Sequence, residues 1–229
     1  MPRCGRRHCG RDTEVAATLG GLWVVDWTRR AAASIHRHRE ELIELDRAIG
    51  DGDHGENLDR GYSAALKAVD NVPDPAPAPL LRSIAMALMS TVGGASGPLL
   101  GTAYLRMAGA ARENIGPNEL VAMLQAACTG IQERGKAAEE EKTMVDAWAP
   151  AVRAAAHAAE VGGGCHAVLE AAARAAAVGA QSTFDMVATK GRASYLGVRS
   201  AGHLDPGAVS TSYILAAAQE AAKEETTGS

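Results

Sequence analysis

The stretch Leu45–Gly55, LDRAIGDGDHG, combines the end of a predicted helix, a tight turn and a cluster of negative charge. Asp46 stands one helical turn before the cluster, and Asp51 and Asp53 lie two residues apart within it. The glycines between them let the chain fold back sharply, so the three carboxylates can converge on one point. A hard divalent cation suits such a group, and hard cations in turn favour phosphate oxygens.

The residues of this turn have two alternatives to a magnesium site, an EF-hand loop and a solvated turn. An EF-hand loop that started at Asp51 would need glycine at position 56 and glutamate at position 62, but the chain has Glu56 and Tyr62, so this template fails. Mg²⁺ usually takes one or more carboxylates together with phosphate oxygens and water, which fits three aspartates. A solvated turn with helix-capping aspartates remains the plain alternative.

Helical spacing of apolar residues dominates the rest of the chain, and no segment predicts a strand. Aromatic residues make up only 3% of the sequence, and alanine supplies much of the apolar bulk, which favours close-packed helices. The predicted helices cover 22–49 as a pair that meets near 34–38, then 54–69, 80–92, 98–114, 117–134, 143–157, 165–184 and 208–224. Short connections favour antiparallel neighbours, so we expect an all-α bundle or closed helical barrel.

Composition limits the possible partners. The net charge of -4 and the isoelectric point near 6.0 give no electrostatic footprint for nucleic acid or an anionic membrane. No stretch reaches the roughly 20 apolar residues of a membrane span, and no secretory segment follows the basic start. We expect a cytoplasmic protein in which residues 1–21 form a disordered extension and residues 22–229 form one helical domain.

Two further loops have chemistry that is compatible with phosphate. Gly93–Gly101 lies between two predicted helices, where free backbone N–H groups can bind anionic oxygens, although close helix packing explains its glycines equally well. Lys190–Gly207 is long and lacks a period, and its Arg192 can clamp a phosphate, with a solvated loop as the alternative. The acidic stretch Ala137–Glu141 is either a mobile lid or a solvated loop. A nucleotide polyphosphate with Mg²⁺ is the simplest ligand that these loops share.

The chain resembles the L subunit of dihydroxyacetone kinase, the nucleotide-binding subunit, from about Val24 to Lys223. The motifs that carry the resemblance are Leu45–Gly55, Gly93–Gly101, Lys142–Trp148 (KTMVDAW) and Lys190–Gly207. The resemblance implies an eight-helix antiparallel up-and-down barrel with the nucleotide at one rim. It also implies that Asp46, Asp51 and Asp53 bind two Mg²⁺ ions and act in catalysis together with Arg192. The implied nucleotide contacts are His54, Gly55, Glu56, Asn57, Ala95, Ser96, Gly135, Met144, Arg192, Asp205, Pro206 and Gly207.

The family transfers a phosphoryl group to dihydroxyacetone that is held on a separate K subunit, so the resemblance implies a K-like partner. The phosphate comes either from exchanging ATP or from a bound ADP that an M-like phosphocarrier recharges. In this chain Glu140 and Glu141 replace the Gly-Asp pair that precedes Lys-Thr in many relatives. The alternatives are a subunit of a related ketose kinase for another short sugar, a fatty-acid kinase version that the Lys190–Gly207 motif argues against, and a non-catalytic module that signals the state of its nucleotide.

Overall fold

The computed structural model describes residues 18–73 and 75–225 of the chain, and these residues form α-helices and no β-strand. This confirms the predicted all-α class. The helices are α1 (Gly21–Arg37), α2 (Arg39–Ile49), α3 (His54–Val69), α4 (Pro77–Thr91), α5 (Ser96–Ala110), α6 (Pro117–Gly135), α7 (Val145–Glu160), α8 (Cys165–Ser182) and α9 (Pro206–Glu225). Two 3-10 segments, Thr183–Asp185 and Arg192–Ser200, lie between α8 and α9.

Eight of these helices are joined by a closed ring of neighbour contacts. From α3 to α9 each helix packs against the next one in the chain, α9 packs against α1, and α1 packs against α3. Helix α2 stands outside the ring, where it contacts α3 and α9. This order of neighbours fits the expected eight-helix barrel, with α2 as an additional element that carries Asp46 to the rim.

Buried aromatic side chains close the ring between the first and last helices. The indole N–H of Trp23 donates to the carbonyl oxygen of Ala218 at 3.0 Å, and that of Trp27 donates to the carbonyl oxygen of Ile214 at 2.9 Å. The ring of Trp27 also lies 5.3 Å from that of Tyr104 on α5. These bonds satisfy two buried donors and fix the register of α1 on α9.

Several helix ends differ from the sequence expectation for local reasons. Helix α4 starts at Pro77, three residues before the predicted start at Leu80, because proline fits the first turn of a helix. Helix α5 ends at Ala110, earlier than the predicted Asn114. The segment Lys190–Gly207, expected to lack regular structure, contains the 3-10 segment Arg192–Ser200.

The N-terminal boundary lies close to the predicted one. Helix α1 starts at Gly21, and Leu19 is already buried, with its backbone paired to that of Ile115. The predicted disorder of residues 1–17 falls outside the described residues and stays a prediction. Among the helices that the structure describes, none combines the length and the apolar character needed to cross a membrane.

Candidate functional site

The turn between α2 and α3 brings the three predicted carboxylates together. Asp46, in the last turn of α2, and Asp51 and Asp53, in the turn itself, each offer a carboxylate oxygen, and these oxygens lie within 4.8 Å of one another. Three carboxylate oxygens at this spacing can share one small cation or flank two. Oxygen donors are the set that Mg²⁺ prefers, so the residues present fit this ion.

Backbone conformation explains why the turn needs its glycines. Gly52 has a φ of 77°, a left-handed conformation that a side chain disfavours. A Cβ atom on Gly50 would lie 2.2 Å from a carboxylate oxygen of Asp46. The other oxygen of Asp46 accepts the backbone N–H groups of Asp53, at 2.9 Å, and His54, at 3.1 Å. Asp46 therefore caps the start of α3 in addition to offering an oxygen to the cluster.

A cavity of about 460 Å³ opens beside the carboxylates, at the rim of the helix ring. The first residues of four helices line it, namely Asp53 and His54 at α3, Ala95 and Ser96 at α5, Met144 and Val145 at α7, and Pro206 and Gly207 at α9. The ends of α2 and α6 line the same cavity, and so do Gly93 and Gly94 in the loop that follows α4, so the helices alternate in direction around the ring. Helix starts carry free N–H groups and partial positive charge, which makes this rim favourable for an anionic ligand.

His54 is a buried, neutral side chain in the cavity wall. Its Nε2 lies 2.9 Å from the hydroxyl of Ser210, and its Nδ1 lies 3.1 Å from that of Ser96. Burial lowers the pKa of His54 to about 4, against the opposing effect of the nearby Asp46 and Asp53 carboxylates. A neutral imidazole between two hydroxyls fixes the starts of α3, α5 and α9 relative to one another.

Arginine and lysine side chains surround the opening of the cavity. Arg192 forms an ion pair with Asp51, which joins the segment after α8 to the carboxylate cluster. Lys190 and Arg134 also line the cavity. These cations face the same space as the carboxylates, an arrangement that suits a polyanion with a bound cation.

Asp205 and Lys142 form a second charged group in the wall. Burial raises the pKa of Asp205 to about 7, although its carboxylate accepts the N–H of Ala208, at 2.7 Å, at the start of α9. Lys142 is 1% exposed, and burial lowers the pKa of its ammonium group, while Asp205 and Asp146 oppose that shift. The two side chains therefore partly compensate each other's charge inside the protein.

Most of the predicted site residues meet at this cavity. Those that line it are Asp46, Asp51, Asp53, His54, Asn57, Ala95, Ser96, Gly135, Met144, Arg192, Asp205, Pro206 and Gly207. Gly55 and Glu56 are not among the lining residues. A Cβ atom on Gly55 would lie 2.1 Å from the carbonyl oxygen of Arg39, so its place in the structure is a close contact between α2 and α3. Glu56 is exposed in the first turn of α3.

The sequence prediction missed several side chains of the cavity wall. Lys142 and Lys190 belong to the motifs Lys142–Trp148 and Lys190–Gly207 but had no predicted role. Arg134 was predicted only as the last residue of a helix. The apolar residues Leu99 and Ile131 also line the cavity and had no predicted role. No local pattern separates them from core residues, but the position of Arg134 beside the Gly135 helix end was a usable signal.

Comparison with known proteins agrees with this geometry. Residues 48–220 match the model of the DAK2 domain. The chain is 42% identical over 209 residues to the ADP-binding subunit DhaL of the PEP-dependent dihydroxyacetone kinase of Escherichia coli, a match that covers 90% of this chain and 100% of that subunit. The chain belongs to the dihydroxyacetone kinase L subunit family.

Other members of this DhaL family show a similar match. The ADP-binding subunit of PEP-dependent dihydroxyacetone kinase 1 of Listeria innocua is 42% identical, with 84% of this chain and 92% of that protein covered. The ADP-binding subunit of the PTS-dependent kinase of Lactococcus lactis is 41% identical, with 83% and 92% covered.

Solved structures share the fold of this chain. The native dihydroxyacetone kinase of C. freundii superposes with a TM-score of 0.67 at 23% identity, over 96% of this chain and 38% of that one. The same enzyme in complex with AMP-PNP and Mg²⁺ gives a TM-score of 0.64 at 24% identity, over 96% and 37%. The chain thus spans little more than a third of that longer kinase.

Proposed function

We propose that this chain is the nucleotide-binding subunit of a dihydroxyacetone kinase and transfers the γ-phosphoryl group of its nucleotide to dihydroxyacetone held on a separate K subunit. The observation that carries the proposal is the cluster of Asp46, Asp51 and Asp53 beside four helix starts. The 42% identity over the whole length of a relative named as an ADP-binding subunit supports it.

The three aspartates are the residues that would hold the metal, with two Mg²⁺ ions as the number that the resemblance implies. Bound Mg²⁺ neutralises negative charge on the β- and γ-phosphates and so lowers the barrier to phosphoryl transfer. The aspartates hold this charge in place and need not exchange protons. Asp46 also fixes the start of α3 through its two hydrogen bonds, which keeps the turn in its ligating shape.

The other residues that line the cavity have separate roles in binding a nucleotide. The helix starts at Ser96 and Gly207 offer N–H groups and partial positive charge to phosphate oxygens. The start of α3 contributes partial positive charge, while Asp46 accepts the N–H of His54. Apolar side chains that also line the cavity, among them Leu99 and Ile131, suit the flat face of a base. Arg192 would leave Asp51 to stabilise the charge that develops on the γ-phosphoryl oxygens, a role worth roughly 10³ to 10⁵ in rate where it is known.

The names of the relatives support a proposal for the phosphate source and the partners. Several are named as PEP- or PTS-dependent subunits, which favours a bound ADP that is recharged in place over ATP that exchanges. The chain would then work in the cytoplasm with a DhaK-like subunit that presents dihydroxyacetone and a DhaM-like phosphocarrier that recharges the nucleotide.

Calorimetric titration of ADP into the purified chain, with and without Mg²⁺, tests the nucleotide site. We expect binding that depends on Mg²⁺ and that weakens at least tenfold in Asp51→Ala, because this variant removes one carboxylate of the cluster. Undiminished Mg²⁺-dependent binding in Asp51→Ala would show that the cluster does not hold the metal. Asp185→Ala is a matched control, since Asp185 carries the same charge but does not line the cavity.

A further inference from the structure

Two segments face each other at the opening of the cavity. The lid segment, Ala137–Met144, contributes Ala137, Lys142, Thr143 and Met144 to the lining, and the rim loop, Thr189–Ala193, contributes Lys190 to Ala193. The rim loop is joined on one side to the carboxylate cluster through Arg192 and Asp51. On its other side it meets the lid segment at Glu141.

Glu141 contacts the rim loop through both its backbone and its side chain. Its carbonyl oxygen accepts the N–H of Thr189 at 3.3 Å, and one carboxylate oxygen lies 3.8 Å from Nζ of Lys190. The other carboxylate oxygen accepts the N–H of Ala138 at 2.7 Å. The Glu141 side chain therefore holds the lid segment in its own conformation while it attracts the rim loop.

The side chain of Lys142, next to Glu141 in the lid segment, binds both ends of the connection between α8 and α9. Its Nζ donates to the carbonyl oxygen of Thr183 at 2.5 Å and to that of His203. Thr183 follows the last residue of α8, where a cation compensates the partial negative charge of the helix end. The ammonium group is buried. Loss of these bonds would leave the carbonyl oxygen of His203 without this donor and that of Thr183 with only the N–H of Met186, at 3.2 Å.

We propose that Glu141 and Lys142 together act as a tie between the lid segment and the α8–α9 connection, and that this tie sets how long a nucleoside diphosphate stays in the cavity. The inference rests on the proposed function, because it assumes that the cavity holds this ligand. Separation of the two segments widens the opening through which the ligand would leave the cavity. Each contact that holds them together therefore slows release, as a ligand that stays bound through successive cycles of recharging requires.

Release of a fluorescent ADP analogue, chased with excess ADP in the presence of Mg²⁺, measures the tie directly. Glu141→Gln keeps an acceptor for the N–H of Ala138 but loses the charge that attracts Lys190. We expect release to become about two- to fivefold faster, the range that a partly exposed ion pair supports. Glu140→Gln is the matched control: it removes the same charge from the neighbouring residue, which contacts its surroundings through its backbone N–H. This control should release the analogue at the rate of the unchanged chain.

A double-variant cycle separates the ion pair from other effects of either residue. If Lys190 slows release through Glu141, then Lys190→Gln should speed release less in the Glu141→Gln background than alone. Lys142→Met removes the buried part of the tie and should speed release at least tenfold, provided that circular dichroism shows a folded chain. The Glu141 variants keep the test valid if it does not fold.

The outcomes distinguish the tie from the proposed function. If the unchanged chain does not bind the analogue at all, the nucleotide site itself is contradicted. If all variants bind it but Glu141→Gln releases it no faster than Glu140→Gln, the nucleotide site stands and the tie is overturned.

Discussion

Asp46 has two roles that different substitutions can separate. Its carboxylate is part of the cluster that we propose as the metal site, and one of its oxygens caps α3 by accepting the N–H groups of Asp53 and His54. The amide oxygen of asparagine can accept the same two N–H groups but carries no charge. Alanine can do neither.

Asp46→Asn should therefore bind Mg²⁺–ADP at least tenfold more weakly, with a metal-free stability close to that of the unchanged chain. Asp46→Ala should lose affinity to a similar degree and also about 1 kcal/mol of stability, the usual cost of removing a helix cap. Calorimetry gives the affinity, and urea unfolding without metal gives the stability. Equal stability losses in both variants would show that the cap depends on the charge itself.

Asp205 links the stability of the fold to pH. Burial raises its pKa to about 7, above the value of about 4 for an exposed aspartate, so the folded chain binds more protons than the unfolded chain between these values. This group therefore contributes its full stability at low pH, and the contribution is lost as pH rises from about 4 to about 7. Above about pH 7 the buried carboxylate is ionised, and its destabilising effect on the fold no longer changes with pH.

Asp205→Asn should remove this dependence, since asparagine is also a good helix cap for α9. Relative to the unchanged chain, the variant should gain stability with rising pH, by about 3 kcal/mol at pH 8 compared with pH 4.5. Taking the difference between the two proteins cancels the opposite effect of His54, which is neutral when folded and titrates when unfolded. A difference that stays flat across this range in urea unfolding would contradict the raised pKa.

The lid segment contains strained backbone at the scale of one structural element. Glu140 has a φ of 68°, and Lys142, two residues later, has a φ of 59°. A left-handed conformation costs a residue with a side chain roughly 1–2 kcal/mol. The segment keeps this shape because Asp146 accepts the N–H groups of Glu140, at 2.5 Å, and Thr143, at 2.7 Å.

Glu140→Gly should therefore stabilise the chain by about 0.5–1 kcal/mol, after part of the relieved strain is offset by the flexibility of glycine when unfolded. Glu140→Gln, which has the same charge change and keeps the strain, should leave stability almost unchanged. Urea unfolding of both variants checks this. A destabilised Glu140→Gly would mean that the flexibility outweighs the strain at this position.

Local pattern was enough to place most helices and the turn that gathers the three aspartates, because helical spacing, helix-stopping glycines and clustered aspartates are all short-range features. The ends of α4 and α5 shifted by a few residues, since proline can open a helix and spacing alone does not stop one. The burial of Lys142 and the packing of Gly55 against Arg39 could not be predicted, because both depend on which segments meet in space. All the predicted nucleotide and metal contacts, including those at Gly55 and Glu56, remain predictions.

At the scale of the whole molecule, the ring of helices explains why the site lies at one rim. Neighbouring helices alternate in direction, so every second helix starts at the same end, and four of these starts line the cavity. Helix α2 stands outside the ring and delivers Asp46 to that end. The fold thus concentrates free N–H groups and carboxylates where a metal-bound polyphosphate can use both.

Many helices meet at the rim where we propose that the ligand binds, so ligand binding should stabilise the whole chain. At a concentration of ADP with Mg²⁺ about 100 times Kd, linkage predicts about 2.7 kcal/mol of added stability, or roughly 5–10 °C in Tm. ADP with EDTA should give a much smaller shift, and so should Mg²⁺–ADP with Asp51→Ala. A shift of equal size without Mg²⁺ would argue against a metal-bridged site.

The central claim is that this chain passes phosphate from its nucleotide to dihydroxyacetone on a K subunit, and formation of dihydroxyacetone phosphate tests it most directly. The chain would be loaded with ATP and Mg²⁺, mixed with a DhaK subunit and dihydroxyacetone, and followed by ³¹P NMR through a single turnover. The account predicts one dihydroxyacetone phosphate per bound ATP, ADP left on the chain, and transfer reduced at least 100-fold in Asp51→Ala. If the unchanged chain binds the nucleotide but forms no dihydroxyacetone phosphate with the K subunit, the account is contradicted and a nucleotide-sensing module is favoured instead.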